Sequence, residues 1–224
     1  MSQNFFLHIH APKVHPFSLE AGYTLGFGIV LGFLFLIMIF TGILLMLHYT
    51  PSVTEAYNSV KEIVHAVPGG RIIRNMHRLA SNAMVLLVFL HMLRVFYTGS
   101  YLGGRHLNWV FGVVMFVVVL LMSFSGYLLP WDQLSFWAVT SGSNIAASAR
   151  ELTDLLGITG VFDVGGFFQR ILIGDEVVGQ TALTRFFMLH VVFLPVTLLL
   201  FTGLHFWRIR KDGGLSRPNT ERVM

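Results

Sequence analysis

Three stretches of this chain contain no Asp, Glu, Lys or Arg and are long enough to cross a membrane. They run from Ala21 to Thr54, from His106 to Trp131 and from Phe186 to Trp207. A helix that crosses a bilayer needs about 20 mostly apolar residues, so each stretch predicts one span. A fourth stretch, from Leu79 to about Tyr101, carries one charge, Arg94, near its end, where a long side chain can reach the headgroups.

The pattern therefore predicts an all-α integral membrane four-helix bundle, formed by one domain over residues 1–224. The expected spans are about 22–48, 79–101, 108–129 and 186–207. The longest connection, Trp131 to Arg185, contains several acidic residues and apolar stretches that are too short to span. A connection of this length is usually functional, and we expect short helices in it that lie on the outer membrane face. Pro195 falls inside the fourth span, where neighbouring helices can tolerate a kink.

Composition supports a membrane protein and excludes several other classes. The chain is 54% hydrophobic and 12% charged, against about 25% charged for an average soluble domain. It has no cysteine, which excludes disulfides, thiolate metal sites and the usual thioether attachment of haem. The formal net charge is +4, but the basic residues form no patch with interleaved aromatic residues, so no nucleic-acid partner is expected.

The distribution of basic residues predicts the orientation. Four spans put both termini on the same side as the connection between the second and third spans. That side has eight basic residues and the other has seven, but three of the seven lie in the long connection, which has little influence on orientation. Both termini are therefore expected in the cytoplasm, with the protein in the inner membrane.

Four histidines lie in or beside the second and fourth spans at nearly equal separations. His77 and His91 are 14 residues apart, and His190 and His205 are 15 apart. At about 1.5 Å rise and about 100° per residue, each pair places one imidazole near each membrane surface on roughly the same helix face. Two such helices offer two imidazole pairs, which is the ligand set for two bis-histidine haems. The alternative is that the histidines form hydrogen bonds between helices or belong to a proton path.

Glycines recur at the same separation as the histidines, and several arginines lie near the histidines. Gly28 and Gly42 in the first span are 14 apart, and so are Gly112 and Gly126 in the third. Glycine allows close approach to a helix backbone, so these positions could admit a macrocycle edge, although glycine is also common where membrane helices pack. Arginine binds carboxylates, and four arginines near the histidines are candidates for haem propionates: Arg74, Arg78, Arg94 and Arg210. For Arg94 and Arg210 the alternative is simple anchoring at the membrane interface.

Several runs of the sequence resemble the cytochrome b/b6 family. The resemblance covers about Gly22 to Lys211 and is carried by the following segments: Arg74 to Arg78, His91 to Gly99, Ser125 to Gln133, Phe136 to Ala138, Val178 to His190, and His205 to Lys211. The 15-residue spacing in the fourth span is similar to that of cytochrome b6, as is the four-helix length. The chain thus resembles the N-terminal di-haem, split-type subunit of a bacterial Rieske/cytochrome b complex.

The resemblance implies a quinol:electron-acceptor oxidoreductase that translocates protons and is active only as a complex. His77 and His190 would hold the low-potential haem near the outer face, and His91 and His205 the other haem. The implied partners are a subunit IV-like chain with the remaining helices, a Rieske iron–sulfur protein, a c-type cytochrome, lipid and quinone, in a homodimeric complex. The implied residues of the outer quinol site are Tyr127, Trp131 and Phe136.

The sequence departs from the b6 pattern at one position. The helix-A cysteine that attaches an extra haem on the cytoplasmic side is replaced here by Gly26, so an extra haem, where one binds, is not attached by cysteine. Two other functions stay open at this stage. One is the di-haem membrane anchor of a hydrogenase or formate dehydrogenase. The other is a transporter that uses the histidines for protons.

Overall fold

A computed structural model describes residues 25–175, 177–212 and 214, and all regular structure in these ranges is helical. In chain order the helices are α1 (Phe27–Met46), α2 (Ala56–His65), α3 (Gly70–Tyr97), α4 (His106–Leu128), α5 (Gln133–Leu155), α6 (Val164–Ile173), α7 (Gln180–Met188), a π-helical turn (Leu189–Phe193) and α8 (Leu194–Lys211). The all-α prediction is confirmed.

Within the described residues, four helical stretches are long and apolar enough to cross a membrane. They are α1, α3, α4 and the continuous stretch Gln180–Lys211. The start expected for the first span, at about residue 22, lies outside the described residues. Helix α3 begins at Gly70, before the apolar span that the sequence predicted from about Leu79. The sequence placed the start later because the first turns of the helix carry Arg71, Arg74 and Arg78. Charged residues end the apolar part of a span without ending the helix.

The connection between α4 and the fourth span contains two helices, and the first is longer than expected. Helix α5 has 23 residues, whereas α6 has 10. Helix α5 is capped by Asp132, whose carboxylate accepts a hydrogen bond from the Ser135 backbone N–H at 2.8 Å. The helix continues to Leu155, well beyond the short apolar stretch Leu134–Val139 from which the sequence predicted it. Helices α5 and α6 pack against each other, and α6 contacts α7.

The π-helical turn lies where proline interrupts the fourth span. Pro195 has no backbone N–H, so it cannot bond the carbonyl four residues earlier. A single wider turn, Leu189–Phe193, precedes it and contains His190. A π turn takes up one residue more than an α turn, and such turns are frequent at functional sites. This wider turn lies in the fourth span, whose two histidines are 15 residues apart, whereas those of the second span are 14 apart.

The chain divides into two compact units, and a single domain over its whole length stays a prediction. Among the described residues, the first unit comprises those up to Phe40, Met76–Leu121, and those from Leu194 onward. Within it, α3 contacts α4 through Phe89 and Phe116, whose ring centroids are 6.4 Å apart. Helix α4 contacts α8 through Phe111 and Phe201, with centroids 5.9 Å apart.

The second unit comprises Thr41–Asn75 and Met122–Phe193. Its core is apolar and draws on the end of α4 and on α5, α6 and α7, with five buried members: Leu128, Val139, Ile173, Ala182 and Phe186. The segment after α1 is tied to α7 by Gln180, which accepts from the Val53 backbone N–H at 3.0 Å and donates to the Pro51 carbonyl at 2.9 Å. These contacts join the segment after α1 to the same unit as the long connection.

Candidate functional site

One cavity of the first unit brings together two of the four predicted histidines. His91 of α3 and His205 of α8 both line it, together with Arg94 and Gly112. A Cβ added at Gly112 would meet no atom within 4 Å, so the cavity is open beside this glycine. All four are residues that the sequence predicted for haem binding. The remaining lining residues come from the same unit: Met92, Val95, Ser100, Tyr101, Arg105, Asn108, Trp109, Ile209 and Gly214.

The polar atoms of this cavity fit a haem. The Nδ1 atoms of His91 and His205 are buried and have no hydrogen-bond partner within residues 25–175, 177–212 and 214. An unpartnered buried ring nitrogen is costly unless it binds something, such as a metal. The Oδ1 atom of Asn108 is also buried and unpartnered in this part of the chain. Two imidazoles, an arginine and an open glycine flank match the donor set of a haem that carries anionic propionates.

Arg105 is a component of this cavity that the sequence did not single out. Its two terminal nitrogens donate to the backbone carbonyls of Gly214 at 2.7 Å and Asp212 at 2.8 Å. Arg208 forms an ion pair with Asp212 at 3.1 Å, and both side chains are largely buried. The start of α4 therefore binds the chain just after α8. In the sequence analysis Arg105 was used only to predict the orientation. Its partners are backbone carbonyls, and such contacts cannot be recognised from residue types.

His190 lies in the second unit, where the end of α4 fixes its position. Its Nδ1 is 3.1 Å from the Ser125 hydroxyl oxygen. A Cβ added at Gly126 would lie 2.5 Å from the Cε1 atom of the same ring, so the imidazole rests directly against the Gly126 backbone. The spacing predicted Gly126, and here its lack of a side chain makes room for the histidine itself. Ser125 was not predicted, because serine is ordinary in a membrane helix.

The remaining predicted residues are placed separately. His77 of α3 is hydrogen-bonded to the backbone of Met38 in α1, within the first unit. Because His77 and His190 belong to different units, their pairing stays a prediction. Gly28 lies in α1 with open space beside it, and Gly42 lies further along the same helix. Three of the four predicted arginines lie outside the residues that line the cavity: Arg74, Arg78 and Arg210.

The three aromatic residues predicted for a quinol site follow one another around the turn from α4 to α5. Trp131 and Phe136 pack edge to face, with ring centroids 6.3 Å apart. The Trp131 backbone has φ 51°, which is rare for a bulky residue and is typical of strained functional turns. The Tyr127 ring is half exposed, and its backbone carbonyl accepts from the Ser135 hydroxyl at 3.1 Å.

Tyr49 is a further polar contact near this turn that the sequence did not reveal. Its hydroxyl donates to the Leu129 carbonyl at 2.6 Å, and its ring stacks on Phe187 at 5.7 Å. Burial raises the pKa of the Tyr49 phenol well above its ordinary value, because the ionised form would lose its hydration. The phenol is therefore a neutral hydrogen-bond donor that joins the segment after α1 to the end of α4.

Comparison with known proteins identifies the family of this chain. The sequence profile described as "Cytochrome b/b6/petB" matches residues 12–213. The chain belongs to the cytochrome b/b6 family. It is 44% identical to a cytochrome b6 of Prochlorococcus marinus strain SARG over 179 residues, which cover 80% of this chain and 77% of that protein. A second cytochrome b6, of strain MIT 9515, is 42% identical over the same coverage.

A solved structure resembles the fold as well. A chain of "Hyperthermophilic respiratory Complex III" superposes with a TM-score of 0.72 at 30% identity, covering 92% of this chain. The present chain spans 50% of the length of that one. Membership of the cytochrome b/b6 family implies b-type haem binding in a multi-pass membrane protein. The comparisons do not favour the hydrogenase or formate dehydrogenase anchor.

Proposed function

We propose that this chain is the di-haem subunit of a Rieske/cytochrome b quinol oxidoreductase. It would carry electrons between a quinol-oxidation site on the outer side and a quinone-reduction site on the inner side, coupled to proton translocation. The observation that carries the proposal is the convergence of His91 and His205, from two different spans, on one cavity with unpartnered ring nitrogens in the described part of the chain.

Four histidines would hold two b-type haems, His91 with His205 and His77 with His190. A bound haem supplies one-electron redox chemistry through its iron. The chain's own residues position it: Arg94 lines the cavity and can pair with a propionate, while Gly112 leaves space for the ring edge. Arg74, Arg78 and Arg210 would neutralise other propionates, and Gly28 and Gly42 would provide the glycine flanks in α1. An extra haem, where one binds, has no cysteine to attach it.

The quinol site would be shared with another polypeptide. Trp131 and Phe136 form an aromatic corner in which a quinol ring can stack, and the exposed Tyr127 ring lies earlier on the same turn. The site would be completed by a subunit IV-like chain, with a Rieske protein and a c-type cytochrome accepting electrons in a homodimeric complex. We place both termini in the cytoplasm and the subunit in the inner membrane.

Quinol-driven haem reduction in membranes tests this function. Membranes that hold the whole complex are mixed with quinol while b-haem absorbance is followed. We expect reduction in the native protein, and loss of one haem together with impaired electron transfer in His205→Ala. The matched control is His65→Ala, because His65 is an exposed histidine at the end of α2. Equal behaviour of the two variants would refute the proposed role of His205.

A further inference from the structure

The Ser125 hydroxyl makes a contact with His190 that the family resemblance did not predict. Ser125 Oγ lies 3.1 Å from His190 Nδ1 and 3.2 Å from the Met122 carbonyl one turn earlier. A hydroxyl has one proton and two lone pairs. The Met122 carbonyl can only accept. When the hydroxyl donates its proton to that carbonyl, its lone pair accepts from the imidazole, and the Nδ1 atom of His190 carries the ring proton.

Burial makes this hydrogen bond hard to replace. Ser125 is 2% exposed, so water has little access to the hydroxyl. The imidazole also rests against the backbone of Gly126, where an added Cβ would lie 2.5 Å from Cε1. The ring is thus oriented by two neighbouring residues of α4, one through a hydrogen bond and one through contact.

From this geometry we infer that Ser125 is a positioning residue for the haem held by His190, because its hydroxyl fixes the tautomer and orientation of the ligating imidazole. With the proton on Nδ1, the lone pair that would bind iron lies on Nε2. An acceptor behind the imidazole also makes the ligand more basic. A more basic ligand favours ferric over ferrous iron, which lowers the reduction potential of that haem. The inference rests on the proposed function, since it requires His190 to be a haem ligand.

Replacement of the hydroxyl tests the inference. In Ser125→Ala, we expect the potential of the haem at His190 to shift to more positive values, with an altered low-spin EPR signal. Loss of such a supporting hydrogen bond typically weakens metal binding by about 10- to 100-fold. Alanine is a good helix former, so α4 should stay intact. The second haem, at His91 and His205, is the internal control, because Ser125 does not line that cavity.

Two further variants make the outcome decisive. Ser125→Thr keeps a hydroxyl and should restore a native potential and EPR signal. His190→Ala should remove one haem and thereby identify which signal belongs to it. The inference is overturned when Ser125→Ala leaves both signals native, or when Ser125→Thr shifts them as much as alanine does. His190→Ala with both haems retained would overturn the proposed ligand assignment and this inference together. Loss of a haem in His190→Ala with a silent Ser125→Ala would overturn this inference alone.

Discussion

Gly126→Ala is expected to loosen one haem selectively, because the new methyl group would collide with a proposed ligand. The added Cβ would lie 2.5 Å from Cε1, 3.0 Å from Nε2 and 3.1 Å from Nδ1 of His190. Carbon atoms in favourable contact are about 3.5–4.0 Å apart, so the ring has to move by about 1 Å. A functional constellation tolerates about 0.5 Å, and the displacement is therefore large enough to disturb ligation.

The size of the effect follows from the cost of overpacking. An extra methyl group in a well-packed site typically costs about 1–3 kcal/mol. When this cost falls on the haem-bound state, haem affinity decreases roughly 5- to 150-fold, since about 1.4 kcal/mol corresponds to tenfold. Some of the cost would instead destabilise the second unit, where Ser125 and His190 are also in contact. The haem at His190 should be lost, whereas the haem at His91 and His205 should change little or not at all.

The assay is haem retention during purification and dilution, measured per chain by pyridine haemochrome together with reduced-minus-oxidised spectra. Gly32→Ala is the matched control, because Gly32 is also a glycine inside a spanning helix and a Cβ there would meet no atom within 4 Å. Full retention of both haems in Gly126→Ala would refute the reasoning. Equal losses in Gly126→Ala and Gly32→Ala would refute it as well, since they would indicate a general helix effect.

Three other substitutions test individual contacts. Tyr49→Phe leaves the Leu129 carbonyl without its donor and should destabilise the chain by about 1–3 kcal/mol in denaturant unfolding. Burial raises the pKa of the phenol in the folded state, so the stability that Tyr49 contributes should be lost as pH rises above the ordinary tyrosine pKa of about 10. A Tyr49→Phe variant whose free energy of unfolding depends on pH as in the native protein would contradict this. Asp132→Ala removes the cap of α5 at a cost of about 1 kcal/mol, and should speed amide exchange at Ser135 about 5-fold; unchanged exchange would contradict this role of the cap. Arg105→Gln frees the carbonyls of Asp212 and Gly214, and should speed proteolysis of the chain after α8, whereas a native cleavage rate would show that Arg105 does not hold that segment.

The spans could be predicted from the sequence because a long run of apolar residues leaves the chain few alternatives. Their ends could not be predicted equally well. Helix α3 continues through Arg71, Arg74 and Arg78 to Gly70, since a helix can leave the apolar layer without ending. The length of α5 was underestimated for a related reason. Its polar residues carry no hydrophobic run, yet the Asp132 cap and its packing against α6 extend the helix to Leu155.

The candidate site could be predicted where side-chain type alone reveals a role. A histidine in a membrane span is unusual enough to be noticed, and His91 and His205 line one cavity, although haem ligation by them stays a prediction. Contacts that depend on geometry left no such signal. The Ser125 hydroxyl and Arg105 act on a ring nitrogen and on backbone carbonyls, respectively, and serine and arginine have many other roles in such positions.

The π-helical turn illustrates the same limit. Pro195 was expected to kink the fourth span, but the sequence did not reveal that an entire turn before it would widen around His190. A missing N–H fixes which hydrogen bond is lost and leaves open how the neighbouring carbonyls are rearranged. The one-residue difference in histidine spacing was visible in the sequence, and the widened turn provides a local structure that can accommodate it.

The central claim is that the four histidines hold two haems. Its most direct test is the number of b-type haems per chain in the purified membrane complex, measured by pyridine haemochrome and by a reduced-minus-oxidised spectrum. We predict two haems per chain in the native protein and one in each variant that lacks a single proposed ligand, such as His91→Ala or His190→Ala. A native complex with fewer than two haems per chain, or a His91→Ala variant that keeps both, would contradict the account.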